Sequence, residues 1–324
     1  MAGFFGWLIG DARVNLDDAS NVAAAKGERG GCPDNGLMQE SRPSRTALRV
    51  ALRRAAHQVY DAWPLVFEDA LAVRILAPDY LPELEKTATK LKKPHSVALR
   101  AFLVARSRYA EDLLAAAVRR GVRQYVLLGA GLDTFGYRSP HAGVRVFEVD
   151  HPATQQWKRE RLAQNEIFVP DTVTYVAVDF EPGQKRERER LPMKLREAGF
   201  DAGVPTLFAW LGVVPYLTLG AFRETVGMIS ACAAGSGVVM DYSQPRAVLP
   251  LREQLEHDSL RARVALAGEP LQLFFTPEEV RAELAGFQGV EDLGAGELNA
   301  RYFEGRGDEL RLMGAAGRVV SGWV

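Results

Sequence analysis

The chain has 324 residues, of which 47% are hydrophobic and 25% charged, a composition that is ordinary for a globular protein with a large core. Its net charge of −1 gives no overall attraction to nucleic acid or to acidic membranes, so we expect neither as a partner. The two cysteines, Cys32 and Cys232, stand far apart without the spacing of a disulfide framework or zinc site, which favours a reducing cytoplasm.

The first part of the chain divides into a leader and a cap. Residues 1–42 are rich in Gly, Asp, Asn and Ala without sustained periodicity, which predicts a flexible leader. We expect the folded domain to cover residues 43–324, with cap elements at 43–95 and 245–276. Ser44 is a candidate N-cap for a first helix, a second short helix is predicted over 69–76, and a lysine-rich connection over 82–94.

A long helix is predicted from about residue 96 to 120, ended by Gly121. Its apolar residues recur at spacings of three and four, and Arg106 lies in the centre of that apolar stripe. A guanidinium directed toward a core is costly unless it is paired. The partner is either the carboxylate of a ligand, bound bidentately, or an acid of the protein itself.

From Val122 onward, strand and helix signals alternate along the chain. Strands are predicted near 125–128, 145–149, 173–178, 207–211 and 237–242, with helices between them, notably at 151–165 and 219–233. The segments 290–293 and 318–324 are candidates for a closing hairpin. This alternation predicts parallel βαβ units and therefore an α/β fold.

The most informative segment is Gln124-Tyr-Val-Leu-Leu-Gly-Ala-Gly-Leu-Asp-Thr134. A buried strand that stops at Gly129-Ala130-Gly131 indicates a tight turn where the backbone can approach a ligand, although such glycines also serve ordinary turns. A dinucleotide fingerprint would need glycine or alanine where this chain has Thr134. The segment therefore favours a shorter adenosine cofactor over the nicotinamide cofactor of a dehydrogenase.

Two acids follow the next two predicted strands. Asp150 ends Val-Phe-Glu-Val-Asp150, where a carboxylate can accept hydrogen bonds from ribose hydroxyls or can instead start the following helix. Asp179 and Phe180 close the third strand, where they can hold an adenine amino group and ring, or be a loop acid and a core side chain. The five histidines have no metal-site spacing, so no metal is expected.

Four segments of the chain occur in a characteristic order: Ala-Arg106-Ser-Arg-Tyr-Ala-Glu-Asp, Leu-Leu-Gly-Ala-Gly131-Leu-Asp-Thr, Phe-Glu-Val-Asp150-His-Pro and Trp210-Leu-Gly-Val-Val-Pro-Tyr-Leu-Thr. In this order they resemble the leucine carboxyl methyltransferase-like family, which includes bacterial S-adenosylmethionine-dependent methyltransferases related to a polyketide carboxyl methyltransferase. Two earlier segments, at 46–57 and 65–72, are also similar. The resemblance runs from about residue 44 to the end of the chain.

This resemblance implies a seven-stranded, mostly parallel, Rossmann-like methyltransferase sheet with a helical cap. It assigns S-adenosylmethionine as the cofactor, with Arg106 at the methionine carboxylate and Asp150 at the ribose hydroxyls. Gly129, Ala130 and Gly131 would lie along the methionine and ribose, and Asp179 and Phe180 would hold adenine. Some members of the family carry a glutamate where this chain has Leu211, so backbone carbonyls would have to contact the cofactor's amino group here.

The implied reaction is methyl transfer to a carboxylate or hydroxyl of a small molecule. A carboxylate acceptor is ionised at neutral pH and needs no general base, whereas a hydroxyl would need one, for which Tyr216, His57 and His95 are candidates. The alternatives are a protein that binds the cofactor without catalysis and, with less support, a nicotinamide-dependent dehydrogenase.

Overall fold

A computed structural model describes residues 44–178, 190–266 and 270–324. Its centre is a seven-stranded sheet in the order β3-β2-β1-β4-β5-β7-β6. The strands are β1 (Gln124–Leu128), β2 (Arg145–Asp150), β3 (Val173–Ala177), β4 (Thr206–Trp210), β5 (Gly237–Ser243), β6 (Gln288–Leu293) and β7 (Gly317–Trp323). The first five are parallel, and β7 runs antiparallel between β5 and β6. The predicted mostly parallel, seven-stranded α/β fold is confirmed.

The strand order reverses at β1, because the chain builds the sheet first toward β3 and then returns to place β4 on the other side of β1. Leu128 at the end of β1 is level with Val149 of β2, and Leu127 is level with Ala209 of β4. The carboxyl ends of the three strands therefore meet at one edge. In open α/β sheets, such a reversal leaves a crevice where ligands bind.

Helices cover both faces of the sheet, and the strand residues alternate between the two helical layers. The helices are α1 (Arg45–Tyr60), α2 (Leu81–Leu91), α3 (Pro94–Arg119), α4 (Phe135–Arg138), α5 (Pro152–Gln164), α6 (Arg190–Glu197), α7 (Leu219–Ser230), α8 (Leu251–Leu266), α9 (Pro277–Glu283) and α10 (Ala295–Tyr302). Tyr125 and Leu127 pack with α3, whereas Val126 and Phe208 pack with α7. Across the described ranges, no helix is long and apolar enough to cross a membrane.

The cap has a separate hydrophobic cluster, in which Leu52 of α1 packs with Leu76 and with Leu162 of α5. Ser44 caps α1 as predicted, because its hydroxyl accepts a hydrogen bond of 3.1 Å from the Ala47 amide. The helix thus begins where a side-chain oxygen accepts from one of its first amide groups, which have no acceptor within the helix.

Two predictions for the cap were wrong. The helix expected over 69–76 is a series of turns that ends in a 3₁₀ segment at Arg74–Leu76, because the Asp69 carboxylate accepts from the Leu71 amide and bonds to distant side chains instead of continuing a helix. The connection expected over 82–94 is mostly α2. Leu84 is buried in the cap while Glu85 and Lys86 are exposed, so one apolar face stabilises this polar helix.

Candidate functional site

The glycine turn lies at the carboxyl edge of β1. Gly129 and Gly131 have φ of +72° and +46°, in the left-handed region that favours glycine. The amides of Gly129 and Ala130 both donate to the Val149 carbonyl, at 2.8 and 3.0 Å, which ties the turn to β2. A Cβ on Gly129 would lie 2.3 Å from Cγ2 of Val213, so a side chain at Gly129 would clash.

Asp150 is fixed against this turn. Its Oδ2 accepts from the Gly131 amide at 2.5 Å, and its Oδ1 accepts from the His151 amide at 2.7 Å. Burial raises the pKa of Asp150 despite these two hydrogen bonds. His151, not Asp150, is the N-cap of α5, since its Nδ1 accepts from the Ala153 amide. Each oxygen of Asp150 keeps acceptor capacity for hydroxyl groups of a ligand.

Arg106 is buried as its position in the apolar stripe predicts, with 6% of its surface exposed. Its Nη1 donates to Oδ2 of Asp241 at 2.6 Å, and its guanidinium lies 5.8 Å from the Phe102 ring centroid. The other oxygen of Asp241 accepts from the Gly212 amide at 2.5 Å. The internal salt bridge is therefore present, and binding of a cofactor carboxylate by Arg106 stays a prediction.

Sequence reasoning missed Asp241. It lies within the apolar strand β5, and it is buried with 5% of its surface exposed. A carboxylate near the end of a buried strand is the same signal that identified Asp150, so it was available in the sequence.

The loop after β4 brings the predicted site residues together. Val213 contacts Gly129, while a Cβ on the preceding Gly212 would lie 2.9 Å from Nη2 of Arg106. The structure thus places the glycine turn, Asp150 and the Arg106–Asp241 pair around the crevice between β1 and β4. Asp179 and Phe180 lie outside the described residues, and their adenine-binding role stays a prediction.

A buried ionic network anchors the turn after Gly131 to the cap. We call it the cap network; it comprises Arg54, Asp69, Glu111, Asp133, Thr134 and Arg138. Arg54 of α1 binds Asp69 and Asp133, each at 2.6 Å. Thr134 donates to Asp69 at 2.8 Å. Arg138 binds Glu111 of α3 at 2.5 Å and lies 3.2 Å from Asp69.

Charges in the cap network determine the ionisation of Asp133. Burial alone would raise its pKa, but Arg54 and Arg138 outweigh burial and lower the pKa of Asp133 to about 2. Burial alone would likewise lower the pKa of Arg54, yet the Asp133 and Asp69 carboxylates raise it. Asp133 and Arg54 are therefore both charged at neutral pH, and the cap network holds Asp133 and Thr134 in place. Sequence reasoning did not detect it, because its members are spread over α1, α3, α4 and two loops.

Two of the candidate bases have partners of their own. His57 is buried, with Nδ1 2.8 Å from Asp61 and Nε2 accepting from the Phe67 amide at 3.3 Å. This fixes its tautomer, with the proton on Nδ1, and makes it a structural residue. His95 lies 3.6 Å from Glu256, and about half of its side chain is exposed. In the part of the chain that the structure describes, no cluster of His, Cys, Asp and Glu could hold a metal ion.

The arrangement suits a ligand with two kinds of groups. The carboxylate beside the glycine turn can accept from sugar hydroxyls, and the buried guanidinium and carboxylate pair can receive a group that carries both charges.

Residues 47–230 match the model of a family described as leucine carboxyl methyltransferase. A Bacillus subtilis (strain 168) protein named "Putative S-adenosyl-L-methionine-dependent methyltransferase YktD" is 29% identical over 298 residues, covering 84% of this chain and 95% of the relative. A Mycobacterium avium (strain 104) protein named "Putative S-adenosyl-L-methionine-dependent methyltransferase" is 30% identical over 237 residues, covering 68% of this chain and 73% of the relative.

A similar solved structure is that of a DUF574 family protein from Streptomyces avermitilis. It superposes with a TM-score of 0.50 at 18% sequence identity, and the alignment covers 78% of this chain and 94% of that protein. At this identity the likeness concerns the fold.

Proposed function

Because the chain belongs to the leucine carboxyl methyltransferase family, we propose that it transfers a methyl group to an oxygen of a small molecule, either a carboxylate or a hydroxyl. It is an S-adenosylmethionine-dependent methyltransferase, as its relatives are named. A polyketide-type metabolite is the acceptor class suggested by the family resemblance. The cysteine usage suggests that the enzyme works in the cytoplasm.

The observation that carries this proposal is the meeting of the glycine turn, Asp150 and the Arg106–Asp241 pair at the crevice between β1 and β4. Asp150 would accept from the ribose hydroxyls, since each of its oxygens has one backbone donor among the described residues and can accept further hydrogen bonds. The methionine end of the cofactor carries a carboxylate and an ammonium group. Arg106 would bind the first and Asp241 the second, which supplies the acid that is missing at Leu211.

When bound, the cofactor supplies a methyl group on a positively charged sulfur; the acceptor oxygen bonds to the methyl carbon as the carbon–sulfur bond breaks, and the electron pair stays on a neutral sulfur. The protein's contribution is to align the acceptor and to exclude water from it. A carboxylate acceptor has no proton to lose and needs no general base, which fits a chain whose candidate base His57 is engaged by Asp61 and by the Phe67 amide.

The dehydrogenase alternative fits the turn less well. The position that a dinucleotide fingerprint reserves for glycine holds Thr134, whose hydroxyl is buried and bonded to Asp69. The Phe135 amide, at the start of the following short helix, already donates to Asp133 at 2.7 Å and so is not available to a pyrophosphate.

Calorimetry followed by a transfer assay tests the proposal. We expect S-adenosylmethionine to bind and NAD not to bind. With a methyl-labelled cofactor and a panel of aryl and alkyl carboxylic acids and matched phenols, we expect label in at least one product, as a methyl ester or ether. Binding of NAD without S-adenosylmethionine would overturn the proposal, and so would cofactor binding with label in no ester or ether product.

A further inference from the structure

Two described parts of the segment after β5 lie between β5 and α9. Residues 245–266 include a 3₁₀ turn at Arg246–Val248 and α8, and residues 270–276, which we call the returning segment, lie at the ends of β4 and β5. The Leu273 amide donates to the Pro215 carbonyl at 3.1 Å, and the Phe275 amide donates to the Ser243 carbonyl at 3.1 Å. Phe274, between them, is thus held near the loop that contacts Arg106, on the opposite side of the crevice from Asp150.

His257 of α8 lies against this returning segment, and its ring nitrogens have no hydrogen-bond partner among the described residues. Its ring centroid is 5.2 Å from that of Phe274, and only 6% of its surface is exposed. Both Nδ1 and Nε2 are buried, and neither forms a hydrogen bond within the described ranges. Burying an imidazole in this way costs free energy unless a partner arrives. His57, which is also buried, has both ring nitrogens hydrogen-bonded, so in this chain a histidine with a structural role does have partners for both nitrogens.

The charges around His257 favour an anion. Arg261 lies 5.4 Å from the Phe274 ring centroid, and Arg246 binds Asp258 at 2.9 Å. Burial lowers the pKa of His257, Arg261 and Arg246 lower it further, and Asp258 opposes them. The imidazole is therefore neutral at pH 7 and offers one N–H donor.

The acids on the same helix are engaged elsewhere. Glu253 accepts from the Ala315 amide at 2.7 Å, and Glu256 lies 3.6 Å from His95 and 3.7 Å from Arg252. The groups nearest His257 thus leave an excess of positive charge, and the neutral, weakly basic ring suits the binding of an anionic oxygen better than the removal of a proton from a hydroxyl.

We propose that His257 binds the carboxylate of the methyl acceptor, with the Phe274 ring against the acceptor's apolar body. This inference rests on the proposed methyl transfer and narrows the acceptor to a carboxylic acid that has an aromatic or aliphatic body. His257 is a specificity-determining residue in this role. It donates to one carboxylate oxygen and leaves the other available for the reaction.

Nuclear magnetic resonance of the histidine rings tests the contact directly. The full-length protein, labelled with ¹⁵N-histidine and saturated with S-adenosylhomocysteine, is titrated with benzoate, salicylate and hexanoate, and separately with phenol and benzyl alcohol. We expect at least one acid to shift the His257 signals in a saturable way, whereas the neutral compounds do not. The signals are assigned by their absence in His257→Leu, and His141, on the loop between α4 and β2, is the internal control. Shifts with no acid, or only with the neutral compounds, overturn the assignment.

Stability and kinetics separate this role from a structural one. His257→Leu removes two buried nitrogens that no described residue bonds, so its Tm without ligand should equal or exceed that of the wild type. For an acid that is methylated, KM of the acid should rise roughly 10- to 100-fold, with S-adenosylhomocysteine affinity and the matched His141→Leu variant unchanged. A lower Tm with an unchanged KM overturns the inference.

The two proposals fail in different ways. Acids that shift the His257 signals but are never methylated contradict the proposed reaction and leave the binding site in place. Methylation of an acid that leaves the His257 signals unmoved contradicts the role of His257 alone.

Discussion

Replacing Arg106 with leucine should lower the free energy of unfolding and weaken cofactor binding, because both depend on the salt bridge between Arg106 and Asp241. Arg106 and Asp241 are 2.6 Å apart, with side-chain exposures of 8% and 7%, so solvent screens their attraction little. Removing one partner of a buried ion pair leaves an uncompensated charge and costs about 3–5 kcal/mol. For a domain of this size, that loss corresponds to a fall in Tm on the order of 10 °C.

The double variant Arg106→Leu/Asp241→Asn isolates the reason for this loss. It removes both charges but keeps an amide oxygen that can accept from the Gly212 amide, so it should recover most of the stability that Arg106→Leu loses. Thermal and urea unfolding of the two variants and the wild type measure the difference. If Arg106→Leu is as stable as the wild type, or if the double variant is no more stable than Arg106→Leu, the stabilisation assigned to the Arg106–Asp241 ion pair is wrong.

Cofactor affinity separates the ligand role of the pair from its structural role. Both variants should bind S-adenosylhomocysteine at least tenfold more weakly in calorimetry, because a charged hydrogen bond contributes about 1.5–3 kcal/mol. Adenosine lacks the amino acid end and should bind the stable double variant as it binds the wild type. Equal losses for both ligands, or a loss for neither, would refute the assignment of the Arg106–Asp241 pair to the methionine end.

Three further predictions concern the turn and its anchor. Gly129→Ala should lower the free energy of unfolding by about 2–4 kcal/mol, because Gly129 has a φ of +72° and its new Cβ would clash with Val213. The control Gly305→Ala has a φ of +73° but open space around it, so it should lower the free energy of unfolding by only about 1 kcal/mol. Equal losses for the two variants on urea unfolding would contradict the clash. Asp150→Ala should weaken both adenosine and S-adenosylhomocysteine binding at least tenfold in calorimetry, since the ribose contact is common to both; an unchanged Kd contradicts the ribose role. Because the pKa of Asp133 is lowered to about 2 from 3.8, its charge contributes about 2 kcal/mol that is present above pH 4 and lost as pH falls through 2. The stability difference between wild type and Asp133→Asn should therefore shrink by about that amount between pH 5 and pH 2, and a constant difference would contradict the network.

Much of the sheet could be predicted because strands buried on both faces are continuous apolar runs, and five such runs were located to within a residue or two. The carboxyl-edge position of Gly129 and Asp150 followed from these strands. The partner of Arg106 could not be inferred in the same way, since Asp241 is 135 residues away and only the folded sheet brings them together. Local patterning predicts that a buried charge needs a partner, but it does not say which partner.

The errors in the cap have a common physical origin. Asp69 looked like the start of a helix, but its carboxylate is bonded to Arg54 and Thr134, so long-range ion pairing overrides local propensity. Residues 82–94 looked like a connection because charged side chains outnumber apolar ones, yet burial of Leu84 against the cap is enough to stabilise a helix. Predictions from local sequence fail where an element depends on contacts with distant parts of the chain.

The loop after β4 couples the two halves of the proposed site. Val213 packs on the glycine turn, Gly212 binds the acid that pairs with Arg106, and the Pro215 carbonyl holds the segment that carries Phe274. A shift of this loop would therefore alter the cofactor side and the acceptor side together. Methyl transfer requires the acceptor oxygen and the methyl carbon to be aligned at close range. Because one short loop contacts both sides, the distance between acceptor and cofactor does not change when the cap and the sheet move independently.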